Sequence, residues 1–175
     1  MRSQFAKRKS ERLEYPLAEY AAVCRAQGMT AAEIAARLTE RRGDIHVVAL
    51  LDTLKYLERG GRISKAAAIA GGLLNLKPVI AIESGVVVPL GRARGSRQGN
   101  NLLCEKIRLS GGVDFSMPLL LGYTGLDDAL LKKYIADSRA LWEGHEDALH
   151  CVQVGSVIGV HGGPGAVVCA YFAAG

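Results

Sequence analysis

Three signals that often assign a function are lacking from this sequence: long apolar runs, metal-ligand spacings and nucleotide-binding motifs. No apolar run approaches the roughly 18 residues needed to cross a bilayer, and the polar N-terminus lacks the apolar segment of a signal peptide. The sequence therefore predicts a soluble, cytoplasmic protein with no integral membrane segment.

Cysteine and histidine are few, and their spacing argues against the common metal and redox sites. The chain contains four cysteines and four histidines. No Cys-x-x-Cys pair occurs, so neither zinc binding nor a thioredoxin-like centre is predicted. Three of the cysteines have apolar neighbours, as reduced and buried cysteines do. We expect no metal and no cofactor in a chain whose cysteines are Cys24, Cys104, Cys151 and Cys169.

Nucleotide and nucleic-acid binding also have little support. Neither GxxxxGK[ST] nor a GxGxxG that follows a first strand is present, so no phosphate-binding loop of a known type is predicted. Aromatic residues make up only 6% of the chain, and no nucleic-acid-binding motif occurs. Much of the basic excess behind the net charge of +5 lies in the first dozen residues, which indicates a solvated tail.

The sequence does contain the composition of a globular core and a clear helical start. Hydrophobic residues make up 49% of the chain and charged residues 22%, values typical of one folded domain. Apolar residues at helical spacing predict a helix over about residues 13–25. A second helix is predicted in MTAAEIAARLTER, where Thr30 is the N-cap.

Strand patterns dominate the rest of the chain. Continuous apolar residues at 45–51 predict a central strand, and residues 77–94 predict a hairpin that turns at ESG. A helix over 98–109 and a strand over 117–125 come next, and a helix over 126–142 follows them. Two further strands, over 150–160 and 166–172, flank an HGGPG turn. This alternation predicts an α/β fold: a two-layer mixed β-sheet with helices.

The first candidate site lies in residues 50–65, LLDTLKYLERGGRISK. Asp52 is predicted to cap a short helix that ends at Gly60 and Gly61, so that a tight turn positions Arg62. Ser64 then begins a helix whose amides favour an anion. A simpler alternative remains open, in which Arg62 caps the preceding helix or lies in solvent.

The second candidate site is residues 155–165, GSVIGVHGGPG. Gly162, Gly163 and Gly165 leave room for a ligand to approach the backbone, beside His161. An imidazole hydrogen-bonds a carboxylate or transfers a proton near neutral pH. A lone histidine is more often structural, and this alternative also stays open.

Three blocks of sequence resemble one known family: DTLKYLERGGRISKAAAIAGGLLNLKPVI, GVVVPLGRARG and VGSVIGVHGGPGAVVCAYF. In this order they are similar to the C-terminal part of the DegV family of fatty-acid-binding proteins. The likeness covers about residues 45–175 and, more loosely, the helical segment before them. We predict a basic tail and helical segment over 1–44, a remnant of the preceding domain or a linker, and a DegV-like lipid-binding domain over 45–175.

The resemblance implies a bacterial protein that holds a long-chain fatty acid in an apolar tunnel. Such a protein does no chemistry alone; it presents the carboxylate to a separate ATP-dependent fatty-acid kinase subunit. The family's carboxylate-network arginine corresponds to Arg62, and its histidine to His161 of the glycine-rich block. The basic run after the hairpin would face the kinase, with Arg94 the nearest match. The implied residues are Arg62, His161, Gly162, Gly163 and Gly165 for lipid, and Arg92, Arg94 and Arg97 for the partner.

The sequence also departs from the family pattern. The N-terminal domain, with the hydroxyls that help to hold the carboxylate, is expected to be missing, and Val160 stands where threonine is usual. One alternative is a phosphotransferase of the dihydroxyacetone-kinase-related type, which lacks support because no carboxylate cluster for Mg-ATP is evident. Another is a truncated fragment that contacts a partner and binds no lipid.

Overall fold

The computed structural model describes residues 14–63 and 76–174. The predicted helix that Ser64 begins lies outside these residues. Within them, no helix combines the length and the apolar character that a membrane crossing requires.

The described chain alternates between helices and strands. It begins with α1 (Glu14–Ala26), α2 (Ala31–Arg41), β1 (Ile45–Leu50), α3 (Lys55–Arg59), β2 (Leu76–Glu83), β3 (Val86–Arg94) and α4 (Gly95–Leu109). It continues with β4 (Leu120–Tyr123), α5 (Ala129–Asp137), α6 (Arg139–Trp142), β5 (His150–Gln153), α7 (Ser156–Gly162) and β6 (Val167–Phe172). Short 3₁₀ turns precede β1 and β5, at Arg42–Asp44 and Glu146–Ala148.

One mixed sheet organises these elements. Its six strands lie in the order β3-β2-β1-β6-β4-β5. Only the β4–β5 pairing is parallel, and the other pairings between these strands are antiparallel. β1 is central, with Ile45 opposite Phe172 and Leu50 opposite Val167. The α/β fold with a mixed sheet, and the central first strand, are therefore confirmed.

The predicted hairpin is also confirmed. β2 and β3 pair from Glu83 opposite Val86, with one register shift between Ile80 and Val79, and the two residues between the strands, Ser84 and Gly85, have φ angles of 49° and 77°. Positive φ at both central positions is the geometry of a type I′ turn, which matches the twist of the flanking strands.

One face of the sheet forms the main core with α4, α5 and α6. Leu103, Ile107, Tyr134 and Trp142 are fully buried there against strand residues such as Cys169. Burial raises the pKa of the Cys169 thiol to about 12. All four cysteines are free, and Cys24, Cys104 and Cys169 are buried, so the expected reduced, buried thiols are confirmed.

The helix predicted over residues 126–142 is two helices in the structure. Ser138 separates α5 from α6, and its hydroxyl donates to the Tyr134 carbonyl oxygen over 2.6 Å. The same hydroxyl accepts from the Trp142 indole N–H over 2.8 Å. The break turns Trp142 into the core while its polar N–H keeps a partner.

Two further predictions are wrong. The N-cap of α3 is Leu54 and not Asp52; the Asp52 carboxylate instead accepts from Lys77 on β2. The strand predicted over 150–160 ends at Gln153, and Ser156–Gly162 forms α7. Its β-branched apolar residues suggest a strand, but the backbone bonds locally, with Gly159 N–H donating to the Gly155 carbonyl over 2.9 Å.

Candidate functional site

An apolar cavity of about 260 Å³ lies on the second face of the sheet. Because side chains alternate along a strand, this face carries the residues that the main core does not use. Its walls are small and medium aliphatic side chains from all six strands: Val47, Ala49, Ile80, Ile82, Val87, Leu120, Val152, Val168 and Ala170. The pocket is therefore shaped for an apolar ligand.

The cavity runs along the strands from a polar end to a far end. At the polar end, where β1 and β4 finish, it is lined by Thr124, Gln153 and His161. At the far end, Val47 and Ala170, which pair across β1 and β6, lie with Tyr15 and Pro16 of α1 on the lining. The four residue steps from Leu51 back to Val47 span about 13 Å of extended chain.

Two glycines hold α3 and α7 together at the polar end. A methyl group on Gly60, which follows α3, would overlap the imidazole of His161 on α7. A methyl group on Gly163, which follows α7, would overlap the ring of Tyr56 on α3. Each helix thus inserts a ring over a glycine of the other, and this packing turns the half-buried His161 onto the cavity wall.

Thr124 fixes the loop that follows α7. Its hydroxyl donates to the Gly163 carbonyl oxygen and accepts from the Ala166 N–H, the latter over 2.8 Å. Its backbone N–H donates to the Ala166 carbonyl and its carbonyl accepts from Gly165, over 3.0 and 2.9 Å. Thr124 is 6% exposed. Thr124 falls within the strand predicted over 117–125, and it is not among the site residues predicted from the sequence.

Arg62 and His161 converge on the same glycine from different directions. The exposed Arg62 guanidinium donates to the Gly60 carbonyl oxygen over 2.8 Å, while the imidazole of His161 lies against the Gly60 α-carbon. His161 lines the cavity, and Arg62 is outside the lining. The guanidinium contact is the one expected of a residue that closes a helix, so Arg62 stands beside the site and not in its wall.

The three loop glycines have different surroundings. Gly162 lines the cavity. Gly163 is buried with a φ of 73°, and Gly165 has a φ of 79°. A methyl group on Gly165 would lie 3.3 Å from Leu130. The loop therefore shapes the polar end mainly by the turn of its backbone, which needs glycine because residues with side chains rarely adopt positive φ angles.

The basic residues after the hairpin lie at the same end of the sheet. Arg92 pairs with Pro78, whose carbonyl accepts from the Leu51 N–H over 2.9 Å at the end of β1. Arg94 ends β3 and Arg97 lies in the first turn of α4. All three arginines are exposed. These arginines share one end of the strands with the polar end of the cavity, but β3 is an edge strand, whereas the polar end is lined from β4, β5 and α7.

Metal-binding geometry is absent from the part of the chain that the structure describes. No three His, Cys, Asp or Glu side chains there lie close enough together to hold an ion.

Comparison with known proteins places the chain in a family. The model of a family described as "Uncharacterised protein, DegV family" matches residues 13–174. The chain belongs to the DegV family. It is 36% identical over 122 residues to a DegV domain-containing protein of Deinococcus radiodurans, an alignment that covers 67% of this chain and 40% of that protein.

Solved structures of DegV proteins share the fold. A fatty-acid-binding DegV protein from Thermus thermophilus is 29% identical with a TM-score of 0.74, over 89% of this chain and 55% of that one. The fatty acid kinase B3 protein of Streptococcus pneumoniae, loaded with linoleic acid, has a TM-score of 0.74 at 19% identity, over 89% of this chain and 54% of that one. This chain spans about half the length of the DegV proteins that it matches.

The glycine contacts predict that alanine substitutions at Gly163 and at Gly159 differ sharply in their effect on stability. Gly163→Ala places a methyl group in the Tyr56 ring at a φ of 73°, so the free energy of unfolding should fall by about 2–4 kcal/mol. Gly159→Ala, within α7 and with open space at its α-carbon, should be neutral or stabilising by up to about 1 kcal/mol. Urea denaturation followed by circular dichroism measures both, and equal losses would contradict the proposed packing.

Proposed function

We propose that this DegV-family chain binds a long-chain fatty acid, with the acyl chain along the sheet cavity and the carboxylate at the polar end. One observation carries the proposal: an aliphatic cavity whose polar side chains Thr124, Gln153 and His161 stand together where β1 and β4 finish. The fatty-acid-binding DegV protein of Thermus thermophilus supports it, since it shares this fold at 29% identity.

Affinity and orientation have separate sources in this site. Each buried methylene group contributes about 0.8 kcal/mol, so a sixteen-carbon tail contributes on the order of 10 kcal/mol before ordering costs. The carboxylate needs a hydrogen-bond donor, which the imidazole of His161 supplies from the cavity wall. Thr124 keeps its hydroxyl for the loop, so its role is to hold that loop in place.

We further propose that the chain is a carrier and not itself an enzyme, and that it presents the carboxylate to a separate ATP-dependent fatty-acid kinase subunit. The polar end of the cavity is also the end of the sheet at which Arg92, Arg94 and Arg97 are exposed. Arg62 is exposed beside it. The name of the Streptococcus protein with the same fold supports this role.

Filling the cavity tests the location of the lipid. Val168 lines the cavity, so Val168→Phe should lower the fatty acid that copurifies with the protein at least tenfold, because the ring occupies the space of several methylene groups. The control is Val23→Phe, an equal increase in volume at an exposed position of α1. Mass spectrometry of solvent extracts measures the lipid. Unchanged lipid in Val168→Phe would contradict the assignment.

Removing the imidazole tests recognition of the headgroup. Palmitate and hexadecanol have the same tail, so their affinity ratio reports the carboxylate alone. His161→Ala should reduce the preference for palmitate about tenfold to a hundredfold, the effect of one charge-assisted hydrogen bond. His150→Ala, at an exposed position outside the lining, should leave the ratio unchanged. Titration calorimetry measures both ligands, and an unaltered ratio in His161→Ala would remove His161 from the carboxylate site.

Charge reversal tests the proposed partner surface. Arg94→Glu should weaken association with the fatty-acid kinase subunit of the same organism at least tenfold, because it replaces attraction by repulsion at the interface. Lipid content should not change. Arg25→Glu, an exposed arginine at the end of α1, makes the same charge change elsewhere. If the two variants bind the kinase equally well, the arginines do not form the partner surface.

A further inference from the structure

We infer that the first turn of α1 sets the longest acyl chain that this protein accepts, with Tyr15 as the residue that limits chain length. This inference rests on the proposed function, because it concerns the far end of the same cavity. Selectivity among long-chain fatty acids would then depend on their length, and it would be set at the end of the cavity far from the carboxylate.

The position of α1 supports the inference. Leu17 and Tyr20 pack on the cavity face of the sheet beyond the cavity, where Ile45 and Phe172 are buried. Tyr20 meets Phe172 edge-on, with ring centroids 5.6 Å apart. The helix is therefore anchored at this end of the sheet, and its first turn, with Tyr15 and Pro16, reaches the cavity lining.

The two lining residues of this turn differ in exposure to solvent. Pro16 is fully buried, and its ring fixes φ in the first turn of a helix. Tyr15 is 45% exposed, so its ring is part wall and part surface. A tail that exceeds the cavity must displace the Tyr15 ring, whereas a shorter tail leaves the ring in place. The small Ala170 at the same end leaves the aromatic ring as the bulky boundary among the described residues.

Competition between fatty acids tests this boundary. The full chain is incubated with an equimolar mixture of myristate, palmitate, stearate and arachidate, and the bound acids are quantified by mass spectrometry. Tyr15→Ala should raise the ratio of arachidate to palmitate at least tenfold, because additional methylene groups become buried. Ala170→Val adds volume at the same end and should shift binding towards myristate.

A second tyrosine on α1 provides the matched control. Tyr20→Ala removes the contact with Phe172, but Tyr20 is outside the lining, and Leu17 and the buried Pro16 still hold the helix on the sheet. It should lower stability without changing the length profile. An unchanged profile in Tyr15→Ala, or the same shift in Tyr20→Ala, would overturn the inference. Failure of the unaltered protein to bind any of the four acids would instead overturn the proposed function.

Discussion

The packing of α3 against α7 is the contact on which the site depends. Each helix is short, so neither has enough backbone hydrogen bonds to be stable alone. Their rings therefore matter: His161 occupies the space over Gly60, and Tyr56 occupies the space over Gly163. This reciprocal contact fixes the polar end of the cavity because both helices follow strands that finish there. The imidazole of His161 is thus positioned by packing against Gly60, and both ring contacts require glycine.

The sheet serves two purposes because its side chains alternate. On β1, Val48 and Leu50 join the main core, while Val47 and Ala49 line the cavity. On β6, the main core takes the large Tyr171, whereas the cavity face carries Val168 and Ala170. Where the cavity lies, the strands carry small and medium side chains, which leaves a space that the helices do not fill. The same strands thus provide stability on one side and a ligand volume on the other.

Much of this fold is predictable from the sequence, and the failures have physical causes. The central strand and the hairpin follow from apolar runs and from a turn that needs positive φ at Ser84 and Gly85. The sequence predicts a strand for the α7 segment because Val157 and Val160 favour strands locally, although in the structure they are exposed on a helix. The secondary structure of this segment depends on the contact between Gly163 and the Tyr56 ring, which lie more than a hundred positions apart in the sequence. Pairwise tertiary contacts of this kind leave no periodic signal.

The candidate residues show the same limit. The glycine-rich neighbours of His161 predict a site there, and the structure places His161 on the cavity wall. The glycine pair before Arg62 predicts a site in the same way, yet the Arg62 guanidinium donates to the Gly60 carbonyl oxygen outside the lining. The exposed position of Arg62 matters for the proposed mechanism. A hydrated cation beside the polar end attracts an anionic headgroup without being desolvated, whereas a buried cation would lose hydration energy. We therefore propose three separate roles: the sheet binds the tail, the His161 imidazole orients the carboxylate, and the Arg62 guanidinium remains accessible to a partner from solvent.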